Sequence, residues 1–98
     1  MTFSIEKERI TATNADGIPM GYITFPQIRK DLVNINLVVT YPQFRGQGVA
    51  DSLMEALLIH LDKQDKKAAL NCPIAQNYLE QHGQWQHLLP EKIYFTTC

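Results

Sequence analysis

Cysteine is scarce. Cys72 and Cys98 are the only two in 98 residues, too few for a disulfide framework, and neither has metal-ligand spacing to His60, His82 or His87. Both are read as free thiols, and no metal is expected. No stretch approaches the ~20 apolar residues a bilayer-spanning helix needs, and the opening MTFSIEKERI lacks the basic start and apolar run of a secretory leader. A cytoplasmic location with no membrane partner is expected. An excess of one charge is also lacking: nine Lys and Arg against ten Asp and Glu leave a net charge of -1, too weak a field to hold a nucleic-acid backbone. Nucleic acid is therefore not expected as a partner. There are no internal repeats or linkers, and 45% hydrophobic residues suffice for the one core this length can bury. A single domain over residues 1–98 is expected, with its core at about 3–89 and a tail at 90–98.

What is present has two periods. The first forty residues are rich in β-formers and broken by turn signals, so strands are expected at Phe3 to Ile5, Arg9 to Thr13, Met20 to Phe25 and Val33 to Thr40. The Asp16-Gly17 pair predicts a tight hairpin turn, a polar turn is expected at Arg29 to Asp31, and Pro26 marks a bulge, edge or strand end. In the fourth run Asn34 and Asn36 alternate with apolar residues, and then Leu37, Val38 and Val39 are continuously apolar, as in a strand buried on both faces. From Val49 the period becomes that of a helix, with Val49, Leu53, Leu57 and Leu61 in one row and Ala50, Met54 and Leu58 beside it. KAALNC then reads as a buried strand, PIAQNYLEQHG as a second helix, and Ile93 to Thr97 as an edge strand.

Glycine is sparse too, and only Gly46 and Gly48 stand close together, directly before the helix that starts at Val49. Without Cβ atoms they let the chain turn tightly and let a bulky anion approach its amides. The helix start adds unpaired N–H groups and the positive end of a dipole, and Arg45 can add a charged fork. Phosphate suits such a site, although a plain strand-to-helix turn accounts for the same glycines. The stretch is neither a P-loop, for want of Gly-Lys-Ser/Thr, nor a Rossmann turn, for want of Gly-x-Gly-x-x-Gly.

Arg45-Gly46-Gln47-Gly48-Val49-Ala50 resembles the Arg/Gln-x-x-Gly-x-Gly/Ala motif of the GNAT superfamily of N-acetyltransferases, in which it also follows a fourth strand and opens a helix. A second stretch, Cys72-Pro73 followed by Tyr78-Leu79-Glu80-Gln81-His82, is similar to a small single-domain branch of that superfamily. The resemblance implies an α+β fold: a mixed, mainly antiparallel sheet with two helices packed on it, in the order βββ-β-α-β-α. It also implies acetyl-CoA as cosubstrate, its pyrophosphate on Arg45, Gly46, Gln47, Gly48, Val49 and Ala50. The pantetheine arm would run along Leu37, Val38 and Val39 as a false strand.

By the same resemblance the reaction is acetyl transfer to an unidentified amine, a small one or an exposed protein amine. Such a site must position the amine, accept its proton and stabilise the departing thiolate. The branch suggests Cys72 at the acetyl end of the groove, as a nucleophile or a hydrogen-bond donor; a small buried hydrophobe fits the residue equally well. The superfamily places a general-acid Tyr on the second helix at the position of Leu79 here. Tyr78, one residue early, is either that acid or a packing residue. His82 and His87 are read as surface or capping groups and Trp85 as closing the core. An acyl-CoA-binding module with little turnover is the alternative function, and a small interaction domain with a chance glycine turn a third.

Overall fold

The structure, a computed structural model, describes residues 1–90. The strand expected at Ile93 to Thr97, and Cys98, lie outside the described residues. Strands β1 (Thr2–Ile5), β2 (Arg9–Thr13) and β3 (Pro19–Thr24) form an antiparallel meander. The link from β2 to β3 is longer than a two-residue hairpin: Asn14 Oδ1 accepts from the amides of Asp16 and Ile18, and Gly17 takes the left-handed angle, φ 78°. After Pro26 a short strand, β4 (Gln27–Arg29), pairs antiparallel with β5 (Leu32–Ile35), so the polar turn narrows to Lys30 and Asp31.

The expected continuous strand from Val33 to Thr40 is broken at Asn36. β5 pairs parallel with β7 (Lys67–Leu70), whereas β6 (Leu37–Thr40) pairs antiparallel with β3. Two sheets result, β1-β2-β3-β6 and β4-β5-β7. The break is a bulge: Leu37 is in register with Thr24, and the Asn36 amide also donates to the Thr24 carbonyl, at 3.3 Å. It shifts the side-chain phase, so Asn36 and Leu37 are both exposed and Val38 turns inward. The expectation that Leu37 to Val39 are buried on both faces fails accordingly; Leu37 is 42% exposed, Val38 is buried and Val39 half-buried.

Helix α1 (Val49–Lys63) covers one face of the larger sheet, burying Val49, Leu53, Met54, Leu57, Leu58 and Leu61 against Ile10, Ala12, Ile23 and Val38. Asp51 lies in its first turn and Lys63 in its last, which suits the dipole. Helix α2 (Pro73–Gln81) buries Ala75, Tyr78 and Leu79 in the same core, and a 3-10 turn (Gly83–Leu88) closes its end with Leu88 buried and Trp85 packed against the core. Gly83, expected at the end of the second helix, opens that turn. The order agrees with a GNAT-like α+β fold, with β4 added and the fourth expected strand split into β5 and β6.

Candidate active site

Three features meet beside α1. The first is a fork: Asn71 N–H donates to the Ile35 carbonyl at 2.9 Å as the last bond between β5 and the β7 segment, after which β6 turns away to join β3. Among the described residues β6 is thereby an edge strand. Tyr41 N–H bonds the Met20 carbonyl at 2.9 Å, so by the alternation of an antiparallel ladder Val39 is bonded to β3, and Val38 and Thr40 present their backbone groups to the free edge.

The second is the turn into α1. Gly46 (φ 80°) and Gly48 (φ 77°) both adopt left-handed angles that L side chains rarely take, and a Cβ on either would meet nothing within 4 Å, so the space in front of them is open. Ser52 is the first α1 residue to donate within the helix, to Gly48 O at 3.0 Å. The amides of Val49, Ala50 and Asp51 have no intrahelical partner. They border a recess of about 180 Å³ formed with Thr40, Arg45, Gly46 and Gly48. Asp51 also lines this recess and brings a negative charge near it, and the exposed Arg45 supplies the opposite sign.

The third is the groove connecting these parts. A cleft of about 480 Å³ is lined by Val38, Val39, Thr40, Arg45 and Ile74. It shares Thr40 and Arg45 with the recess, and Ile74 with a hollow of about 480 Å³ walled by Asp51, Pro73, Asn77, Tyr78 and Gln81. One groove runs from the β6 edge, across the start of α1, to α2.

The chain from Arg9 to Leu88 matches the family described as GCN5-related N-acetyl-transferase. It belongs to that family. Its fold is shared by a GCN5-like protein from Staphylococcus aureus solved by NMR, at 18% identity and TM-score 0.73, over 95% of this chain and 91% of that one. Two similar structures solved with CoA are of larger proteins. Escherichia coli YhbS has 22% identity and TM-score 0.58, over 63% of this chain and 38% of its own. Rv2747 of Mycobacterium tuberculosis has 20% identity and TM-score 0.65, over 79% of this chain and 48% of its own. No curated protein matches the chain in sequence.

Of the residues singled out in the sequence, this GCN5-related chain brings Val38, Val39, Arg45, Gly46, Gly48, Val49 and Ala50 to one groove. Gln47 is exposed in the turn between the glycines, and Leu37 is exposed at the fork. Cys72, at the N-cap of α2 with extended backbone, is a free thiol 7% exposed and packed in the core. Tyr78 is 6% exposed, and its ring stacks on His82 at 3.9 Å between centroids. Burial, with the Glu55 and Asp51 carboxylates adding to it, pushes its phenol above the ordinary tyrosine value; Trp85 acts weakly against the shift. Among the described residues the Trp85 indole N–H completes no hydrogen bond. His82 caps α2 through Nδ1, 2.8 Å from the Tyr78 carbonyl, and His87 Nε2 lies 3.0 Å from Asp62 Oδ1, far along the chain from the glycine turn.

Sequence reasoning missed Thr40, which borders both the cleft and the recess, and Gly21, whose missing Cβ lets β6 and Val49 approach β3. No motif marks either; each is defined by its neighbours in space. Among the described residues no group of His, Cys, Asp and Glu could hold a metal ion, and no helix is long and apolar enough to cross a membrane.

Proposed function

We propose that the chain transfers the acetyl group of acetyl-CoA to an amine. The observation that carries this reading is the continuity of the groove: a free strand edge at Val38 and Thr40, two left-handed glycines and three unpaired helix amides follow one another along it. A pyrophosphate on the amides of Gly48, Val49 and Ala50, beside Arg45, meets the chemistry of an anion site. Gly46 and Gln47 shape its approach. Peptide-like amides of a pantetheine arm can pair with Val38 and Thr40 as an added strand, with Leu37 and Val39 flanking it. Acetyl-CoA supplies an activated thioester. The amine nitrogen bonds to the acetyl carbon, the carbon–sulfur bond breaks, and the proton lost by the amine passes to solvent or to the released thiolate.

Cys72 and Tyr78 are the candidate catalytic groups, and their burial favours a second reading, an acyl-CoA-binding module with little turnover. Incubation with acetyl-CoA and an amine panel, followed as free-thiol release, separates the two. Both require binding. At about 100 times Kd, acetyl-CoA is expected to stabilise the fold by ~2.7 kcal/mol, and each kcal/mol moves the Tm of a domain this size by roughly 4–8 °C. No shift at millimolar acetyl-CoA overturns both readings.

A further inference from the structure

Among the described residues the larger sheet ends in β6 on one side, at the groove, and in β1 on the other. Edge strands are commonly guarded by a lysine, a proline, a bulge or a covering segment. β1 has none of these. Thr2-Phe3-Ser4-Ile5 holds no charged residue, proline or glycine, its register with β2 runs without a shift, and all four residues are exposed.

The open backbone groups and the apolar side chains belong to the same residues. The Glu6 amide donates to the Arg9 carbonyl at 2.8 Å, so by the alternation of an antiparallel ladder Thr2 and Ser4 bond β2, while Phe3 and Ile5 turn their N–H and C=O groups to the free edge. Phe3 and Ile5 are in register with Ala12 and Ile10, which are buried under α1, so their side chains stand on the α1 side of the sheet. There Met1 and Phe3 line a groove of about 350 Å³ with Ser52, Glu55, Ala56 and Ile59 of α1. Met1, Phe3, Ile5 and Ile59 are each 37% to 51% exposed.

We propose that β1 is a self-association edge, to which a second copy of this chain adds its own β1 antiparallel about a dyad at Ser4. In this register Phe3 exchanges both backbone hydrogen bonds with the partner's Ile5, and Ile5 with the partner's Phe3, so the open groups of each strand are answered by those of the other. The side chains of these pairs meet on the α1 side, as favourable aromatic and β-branched cross-strand pairs do. Glu6 and Lys7, of opposite sign, come to the Met1–Thr2 end of the partner and bring no net charge with them. The half-exposed apolar side chains offer on the order of 300 Å² per copy. With the strand backbones and polar neighbours, the two copies bury about 1,000 Å², the lower bound for a specific interface. Pairing consumes both β1 edges, so association closes at two copies. The β6 edges stay at the outer ends of the joined sheet, and the inference stands independently of the acetyl-CoA reading.

Sedimentation velocity tests it. An interface of this size implies a Kd on the order of 10 µM, so the parent is expected to be mainly dimeric at about 100 µM and monomeric at about 1 µM. Ile5→Lys sets a guarding charge opposite the partner's Phe3 and is expected to raise the Kd at least about tenfold. Because Ile5 is exposed, its circular-dichroism spectrum and acetyl-CoA melting shift should match the parent's. Ile28→Lys, at an exposed apolar residue of β4 in the smaller sheet, is expected to leave the dimer intact. The register has its own test. Facing Ser4 residues form a non-hydrogen-bonded pair with Cα atoms about 4.5 Å apart, within disulfide reach. Ser4→Cys in a Cys98→Ser background is therefore expected to give a covalent dimer on air oxidation, and adding Ile5→Lys to suppress it. A parent that is monomeric at about 100 µM, a dimer equally tight in Ile5→Lys, equal weakening by Ile28→Lys, or a dimer whose Ser4→Cys form does not cross-link overturns the inference.

Discussion

Gly21 lies so close to Val39 across the β3–β6 ladder that a Cβ on Gly21 would overlap the Val39 carbonyl oxygen, and would also stand 3.2 Å from Val49 Cγ1. The obstructing atom is backbone, which cannot rotate away. This contact lets the start of α1 sit against the edge strand, and so joins the recess at the glycine turn to the cleft.

Gly21→Ala is therefore expected to destabilise the fold by about 1–3 kcal/mol, the usual cost of overpacking. Thermal melting should show it as a Tm lowered by roughly 4–8 °C for each kcal/mol. An unchanged Tm would mean that β6 can retreat from β3 without loss.

Gly48→Val tests the anion site. A Cβ there has open space, so the direct cost is the left-handed backbone, about 1–2 kcal/mol for an ordinary L-residue and more for a β-branched one. The variant is expected to keep a parent-like circular-dichroism spectrum, because the core face of α1 is untouched, while acetyl-CoA no longer raises its Tm. Arg45→Ala should be milder and should weaken CoA more than a dephosphorylated pantetheine thioester. Parent-like acetyl-CoA binding by Gly48→Val would reduce the glycines to a turn.

Cys72→Ala separates chemistry from packing. The thiol is buried in the core, so its removal is expected to cost about 1 kcal/mol, the scale of deleting one buried heavy atom. Acetyl-CoA binding should survive. Turnover with the best amine within a few-fold of the parent indicates direct transfer from the thioester; a collapse in kcat alone indicates a nucleophilic thiol.

Tyr78 carries a pH signature. Its folded-state phenol titrates above the unfolded one, first because it is buried and then because Glu55 and Asp51 oppose a phenolate. Between the two values the unfolded chain has lost a proton that the fold keeps, so its contribution is complete below about pH 10 and is lost as pH rises above that. Urea midpoints measured at rising alkaline pH should fall more steeply for the parent than for Tyr78→Phe. Equal slopes would show that the phenol reaches solvent.

Much of the fold is legible in local pattern. The row Val49, Leu53, Leu57, Leu61 buries where a helical period places it, because a helix repeats its geometry regardless of what it packs on. The glycine turn is legible for a similar reason: a left-handed angle is a local demand, and Gly46 and Gly48 meet it without help from elsewhere in the chain.

The break at Asn36 is not legible locally. LVNINLVVT reads as one strand, since its pattern is the same whether the residues pair with one neighbour or two. The division arises because Leu32 to Ile35 find β7, and Leu37 to Thr40 find β3, partners separated from them in sequence and chosen by the packing of α1 and α2. The exposure of Leu37 and the free edge at Val38 and Thr40 both follow from that choice. Sequence by itself determined the family motif, the helices and the glycine turn, all of which depend on near neighbours. Only the tertiary structure decided where the sheet opens, because strand pairing joins backbones whose order along the chain carries no signal of which edge each will take.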